Sequence, residues 1–165
     1  MSENYIVING KKAELTPEQL KALGLETEIK SPFERKRGQR YYTILGDGSV
    51  TNYGESKDDA DDGFYAVANY CTDREMMEQR ALHETLNRLL WRYSMEHGGN
   101  EIEWGFNSDA KWGILYRHDE ERFSVTSKIF YQWTGAVFFT TKEIAENAIR
   151  EIIEPFMAEH PDFEF

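Results

Sequence analysis

Arg40-Tyr41-Tyr42-Thr43-Ile44-Leu45-Gly46-Asp47-Gly48-Ser49-Val50-Thr51-Asn52-Tyr53 is the stretch on which the fold turns. Its first half is dense in aromatic and β-branched residues, whose side chains fit a pleated surface. Gly46-Asp47-Gly48 supplies turn residues, and Ser49 to Tyr53 is long enough to pair back. The stretch therefore reads as a β-hairpin, which makes the chain antiparallel where it is β.

Working back towards the N-terminus, a second hairpin appears. Tyr5-Ile6-Val7-Ile8 reads as a strand, Asn9-Gly10 suits a tight type I′ turn, and Lys11 to Leu15 returns. A short helix follows, with Thr16 as N-cap, Pro17 at the first helical position and Gln19 closing a capping box. Leu20 and Leu23 give it an apolar side and Gly24 ends it. From Glu26 to Arg40 no periodicity survives, and Ser31-Pro32 and Gly38 mark a connector.

Downstream, the acidic run Glu55 to Gly63 reads as an exposed loop. A long helix comes next, capped by Thr72 and Glu75, with Asp73 favourable near its N-terminus. Leu82, Leu86, Leu89, Leu90 and Tyr93 fall on one face of that helix, and Gly98-Gly99 stops it. Lys111 to Arg117 and Arg122 to Thr126 read as strands joined by a turn at His118 to Glu121. Ala136 to Phe139 is a short buried strand. Thr140 and Glu143 are spaced to cap a last helix, whose stripe runs from Ile144 through Ala148, Ile149, Ile152 and Ile153 to Phe156 and Met157. Pro155 is expected to kink or end it.

These elements predict an α+β protein. An antiparallel sheet built from hairpins is packed by a central and a C-terminal amphipathic helix, with a short N-terminal helix beside them. The 165 residues suit one domain, 1–165, in which 1–30 forms a semi-independent appendage. With 40% hydrophobic and 14% aromatic residues the chain has material for a core. Cys71 is the only cysteine, so an intrachain disulfide and a multi-cysteine zinc site are both excluded. The first residues lack the pattern of a signal peptide, and no apolar run approaches the ~18 residues needed to span a bilayer. A cytoplasmic protein is expected.

Thirty acidic against 19 basic residues give a formal charge of −11. A field of that sign repels phosphate backbones and anionic membranes and draws the chain towards basic surfaces. The plainer alternative is that the charge serves solubility.

Candidate chemistry fails at named positions. His83-Glu84-Thr85-Leu86-Asn87 resembles the zinc-protease helix motif until Asn87 stands where the second imidazole is needed. Asp58-Asp59-Ala60-Asp61-Asp62-Gly63 invites a calcium loop, but Ala60 and Asn69 occupy ligand positions. Asp47 with Glu55 and Lys57 matches the carboxylate and Glu-x-Lys spacing of a nuclease superfamily that uses magnesium. That is the enzymatic alternative. Cys71 precedes a helix whose dipole lowers a thiol pKa, though a small buried thiol fits as well. Arg35-Lys36-Arg37 with Arg40 beside Tyr41 and Tyr42 is the one basic cluster, read as a solvated connector or a single-strand contact. No cofactor-binding or metal-binding set emerges.

The segment Ser31 to Ile44, with its Phe33-Glu34-Arg35 stretch leading to Gly38 and Tyr41-Tyr42, resembles a pattern in small phage and prophage proteins of Gram-positive bacteria. Ala66 to Tyr70 and the Phe138 to Ala145 junction are similar too. The resemblance implies a mobile-element setting and carries no catalytic residue. Together with the charge it leads to the expectation of a non-enzymatic accessory protein that binds a partner with a basic surface. In sharper form this is an acidic mimic of nucleic acid that inhibits a host defence nuclease, as anti-CRISPR proteins do. Glu55, Asp58, Asp59, Asp61 and Asp62 are the residues expected to meet that partner. A virion or assembly component, recognisable by self-association, is a further alternative.

Overall fold

The computed structural model describes residues 5–8, 11–16, 19, 22–23, 31–105 and 109–164. The chain divides into two compact units, Met1–Glu34 and Arg35–Phe165. In the first, β1 (Tyr5–Ile8) pairs antiparallel with β2 (Lys11–Glu14), Ile8 opposite Lys11. The Asn9-Gly10 turn lies outside the described residues. Thr16 and Gln19 make the reciprocal bonds of the expected capping box, and Leu23 N–H donates to the Gln19 carbonyl. Pro17, Leu20 and Gly24 also fall outside the described residues.

In the second unit the hairpin read first from the sequence is present. β3 (Arg40–Ile44) pairs with β4 (Val50–Gly54), with Ile44 opposite Val50 and Arg40 opposite Gly54. Gly48 is required at its turn for two reasons. Its φ is +89°, and a Cβ there would sit 2.7 Å from Thr85 Oγ1. Cys71 bonds reciprocally with the Tyr42 backbone, at 2.7 and 3.1 Å, and ties the following helix to this hairpin.

Glu55 to Gly63 is a correction to the exposed loop expected from its polarity. Asp58 caps a short helix, α1 (Asp59–Ala66), by accepting from the N–H groups of Ala60 and Asp61. The alternating acids that looked solvated are the cap and first turn of a helix, where carboxylates are favoured. The central helix, α2 (Arg74–Glu96), also starts differently from the expectation: Asp73, not Thr72, caps it by accepting from Met76 N–H.

α2 organises the core. Its N-terminal half, with Met77 and Ala81, packs on Ile44 and Cys71, flanked by Tyr42 and Val50. Its C-terminal half, with Leu86, Leu90 and Tyr93, meets the last helix and a three-stranded sheet. That sheet has the order β6–β5–β7, built from β5 (Lys111–Arg117), β6 (Arg122–Lys128) and β7 (Phe138–Phe139). The hairpins form separate sheets rather than one, and the second and third pack against the N-terminal and C-terminal halves of α2.

The last helix is capped by Thr141 rather than Thr140, through Ile144 N–H at 3.2 Å. It runs as α3 (Lys142–Ala148), widens to a π-helix over Ile149–Ile153 and continues as α4 (Glu154–Glu159). Pro155 neither ends nor breaks it. The ring of a mid-helix proline clashes with the carbonyl four residues earlier, here Glu151, and the wide turn lies over that carbonyl. Among the described residues no helix is long and apolar enough to cross a membrane.

Candidate functional site

The acidic segment was the expected partner surface, so its side chains decide how much of it a partner can reach. Glu55 is 2% exposed and Asp61 4%. Arg35 clamps Glu55 with two bonds, Nε to Oε2 at 2.7 Å and Nη2 to Oε1 at 2.8 Å, and reaches Asp62 through Nη1 at 2.6 Å. A bidentate guanidinium–carboxylate pair is among the strongest polar contacts available to a side chain. Arg35 therefore belongs to this network and not to a free basic cluster. Its guanidinium also lies over Tyr65 and Tyr70, with centroids at 5.1 and 5.9 Å.

Asp61 is held still more completely. Its Oδ1 accepts from the Tyr41 hydroxyl at 2.6 Å. Its Oδ2 accepts from the N–H groups of Ser56 and Lys57 at 2.7 and 2.8 Å, and from Ser56 Oγ at 2.9 Å. Lys57 has a φ of +62°, a left-handed conformation that turns successive amides to one point. Such a concavity of N–H groups is an anion site, and here the chain fills it with its own carboxylate.

The titration behaviour follows. The Arg35 bonds hold the Glu55 carboxyl below its ordinary range against the opposing effect of burial. Tyr41, then the Ser56 groups, do the same for Asp61, again against burial. The Asp61 N–H and the Ser56 hydroxyl lower Asp58. Burial raises Tyr41, helped by Asp61. The buried Tyr70 hydroxyl has no partner within hydrogen-bonding geometry, yet burial and the nearby Glu55 charge push it up to about 12.

Of the five expected contact residues, Glu55 and Asp61 are thus enclosed within the protein. Asp58, Asp59 and Asp62 are exposed, and only Asp59 is left without a cap or an ion pair. The alternative nuclease set does not assemble. Asp47 sits in the β3–β4 turn, where it accepts from Ser49 N–H and Oγ. Glu55 is at the open end of the same hairpin, roughly 15 Å away at ~3.4 Å per residue. No group of three or more metal-ligating side chains is present among the described residues. His83 packs its ring edge-on against Phe163, and Glu84 pairs with Arg80 and Arg88. Cys71 is buried, as the reading of a small buried thiol expects, and burial pushes its thiol up rather than activating it.

Against protein-family models, curated proteins and solved structures, the chain matches nothing. Its own geometry must carry the functional reading.

A surface that the sequence reading passed over lies between β6 and β7. Ile129, Phe130, Tyr131 and Trp133 are all exposed there, Phe130 by 65% and Tyr131 by 72%. Phe130 and Ile129 join Trp104, Gly105 and Gln132 around a cavity of about 400 Å³. The buried Phe138 ring is its fixed support, edge-on to Trp104 at 4.9 Å and 6.1 Å from Trp133. Lys128 lies over the Trp133 ring at 4.8 Å. The signal was present in the sequence as Ile129-Phe130-Tyr131-Gln132-Trp133, an apolar run with neither helical nor alternating period.

Proposed function

We propose that this is a non-enzymatic accessory protein, of phage origin and acting in the bacterial cytoplasm, that works by binding another protein with a basic surface. One observation carries the reading: a cluster of four exposed large apolar side chains, Ile129, Phe130, Tyr131 and Trp133, in a chain of charge −11. Exposed apolar patches of this kind mark interaction sites, and tryptophan and tyrosine dominate the energetics of protein interfaces. The charge steers the encounter with a basic partner and excludes acidic ones. In its most specific form the partner is a nucleic-acid-binding protein, such as a host defence nuclease, and the exposed Asp58, Asp59 and Asp62 take the place of phosphates. Burial of Glu55 and Asp61 makes that row shorter than the sequence suggests.

Affinity capture from host lysate, followed by reconstitution with the purified partner, tests the proposal. The expected result is a basic protein that forms a stoichiometric complex at low salt and dissociates as salt rises. Absence of any such complex, or magnesium-dependent cleavage of DNA or RNA lost in Glu55→Ala, defeats it.

A further inference from the structure

We infer that the seat of Phe163 between α2 and α4 is a docking site for a short segment of the partner, in which an aromatic residue is flanked by lysine or arginine. Residues 161–164 of the chain occupy that seat until the partner's segment displaces them. This rests on the binding function proposed above and adds to it a second contact of stated chemistry.

Residues 161–164 are held as a docked peptide is held, by one anchor and by their backbone. Pro161, Asp162 and Glu164 are exposed, whereas Phe163 is 6% exposed. Its ring clusters with Leu86, Ile153 and Phe156, edge-on to Phe156 at 5.5 Å and to His83 at 4.6 Å. Gln79 of α2 grips the main chain on both sides of the ring. Its Nε2 donates to the Asp162 carbonyl at 2.7 Å, and its Oε1 accepts from Glu164 N–H at 3.1 Å. Both bonds go to backbone groups, so the grip selects no side chain beside the anchor. The Phe163 N–H bond to the His160 carbonyl at 3.0 Å closes a turn with Pro161 at its second position. The walls of the seat are shared with the core, since Ile114 and Phe123 pack against the same cluster. A segment pinned at so few points opens without unfolding the rest of the chain.

Charge decides what displaces the segment. A hollow of about 730 Å³ is lined by Arg74, Glu75, Glu78 and Gln79 and by residues 161–164 themselves. Arg74 pairs with Glu78 at 2.8 Å, while Glu75, Asp162 and Glu164 have no ion pair among the described residues. The partial positive charge at the N-terminus of α2 is already met by the Asp73 cap and Glu75. The chain therefore sets its own acids, on both sides of the anchor, into a hollow that is already acidic. The same ring with cations beside it keeps the anchor and the backbone bonds and turns the charge contact from unfavourable to favourable. Nucleic acid and anionic membranes bring negative charge to this hollow, and a second copy of the chain brings Asp162 and Glu164 again.

The test uses the full chain, isotope-labelled for amide NMR, and a fluorescein-labelled peptide read by anisotropy. The peptide follows residues 160–164 with both acids replaced: histidine–proline–lysine–phenylalanine–lysine. One control replaces its phenylalanine with serine, and the other restores aspartate and glutamate. The lysine–phenylalanine peptide is expected to bind, to weaken as salt rises, and to shift the Glu164 amide resonance as that N–H leaves Gln79. Phe163→Ser in the full chain vacates the seat and should tighten binding about tenfold or more, because apparent affinity scales with the fraction of open seats. Adding Gln79→Ala should reverse much of that gain. Far-UV circular dichroism checks that the variants fold, and the Glu164 shift in the unaltered chain requires no variant.

The inference is overturned if either control peptide binds as well as the lysine–phenylalanine peptide, or if that peptide binds while the Glu164 amide stays in place. It is also overturned if oligo-dT, anionic phosphatidylserine vesicles or a second copy of the chain shifts that amide instead. If the peptide fails while a basic partner is still captured, the Phe163 seat falls and the binding function stands. If no partner is captured at all, the function itself falls.

Discussion

Replacing Glu55 with glutamine tests whether the acidic segment is part of the scaffold. The substitution keeps the shape and removes the charge. In the native protein the two Glu55 oxygens accept two bonds from Arg35, and Oε1 also accepts from Lys57 N–H at 2.9 Å. Glutamine has one carbonyl oxygen for these donors and turns an NH₂ group towards the guanidinium. Removing one partner of a buried ion pair costs about 3–5 kcal/mol. The lower end applies, because Arg35 is 19% exposed and keeps Asp62 as a partner. About 3 kcal/mol corresponds to a fall of roughly 6–12 °C in Tm for a chain of this size. Urea unfolding followed by circular dichroism gives the midpoint and slope from which the loss is read. A second variant, Arg35→Met with Glu55→Met, should recover much of it, since an apolar pair leaves no buried charge unmatched. Stability of Glu55→Gln within about 0.5 kcal/mol of the native protein, the usual scale of a neutral surface change, would refute the reasoning.

The remaining predictions concern pH, the strained turn, the α2 cap and the Cys71 thiol. Glu55, Asp58 and Asp61 have folded pKa values below their unfolded ones, so their stabilisation is complete above about pH 4.5 and is lost as pH falls through the depressed values. Urea midpoints should therefore drop between about pH 4.5 and pH 2, and drop less in Glu55→Gln. Tyr70 is raised to about 12, so its contribution is present below about pH 10 and is lost as pH rises through that value, visible as alkaline unfolding in phenolate absorbance. Lys57→Gly should stabilise the protein by about 0.5 kcal/mol, because glycine relieves the left-handed strain at a modest entropic cost. A catalytic lysine would not survive that change, and stability and binding should both be retained. Asp73→Ala should cost about 1 kcal/mol through loss of the α2 cap. Cys71 should react with a thiol reagent only on unfolding, and rapid labelling of the native protein would contradict its burial.

What was legible in the sequence is the local and periodic part. The Arg40 to Tyr53 hairpin, the Leu82 to Tyr93 face and the last apolar stripe depend on alternation or helical spacing, which a sequence displays directly. The caps were displaced by one residue where two capping residues stand side by side, as at Thr72-Asp73 and Thr140-Thr141. The acidic segment was misread because its polarity is satisfied by residues far away in the chain. Arg35 reaches Glu55 and Tyr41 reaches Asp61 across 20 positions, and nothing local to the segment announces it. The aromatic groove was missed for the converse reason. Its members come from Trp104 and from an unpatterned loop that only the β5–β7 pairing brings together.

The most direct test of the account replaces the four tryptophans with 5-fluorotryptophan and follows their fluorine resonances as the captured partner is added. Trp104 lines the groove and Trp133 stands exposed beside it, Trp112 packs in the core, and Trp91 is exposed on α2. The account predicts that Trp104 and Trp133 shift while Trp91 stays where it is. Movement of Trp91 alone, or of none of the four in a complex that forms, would contradict it.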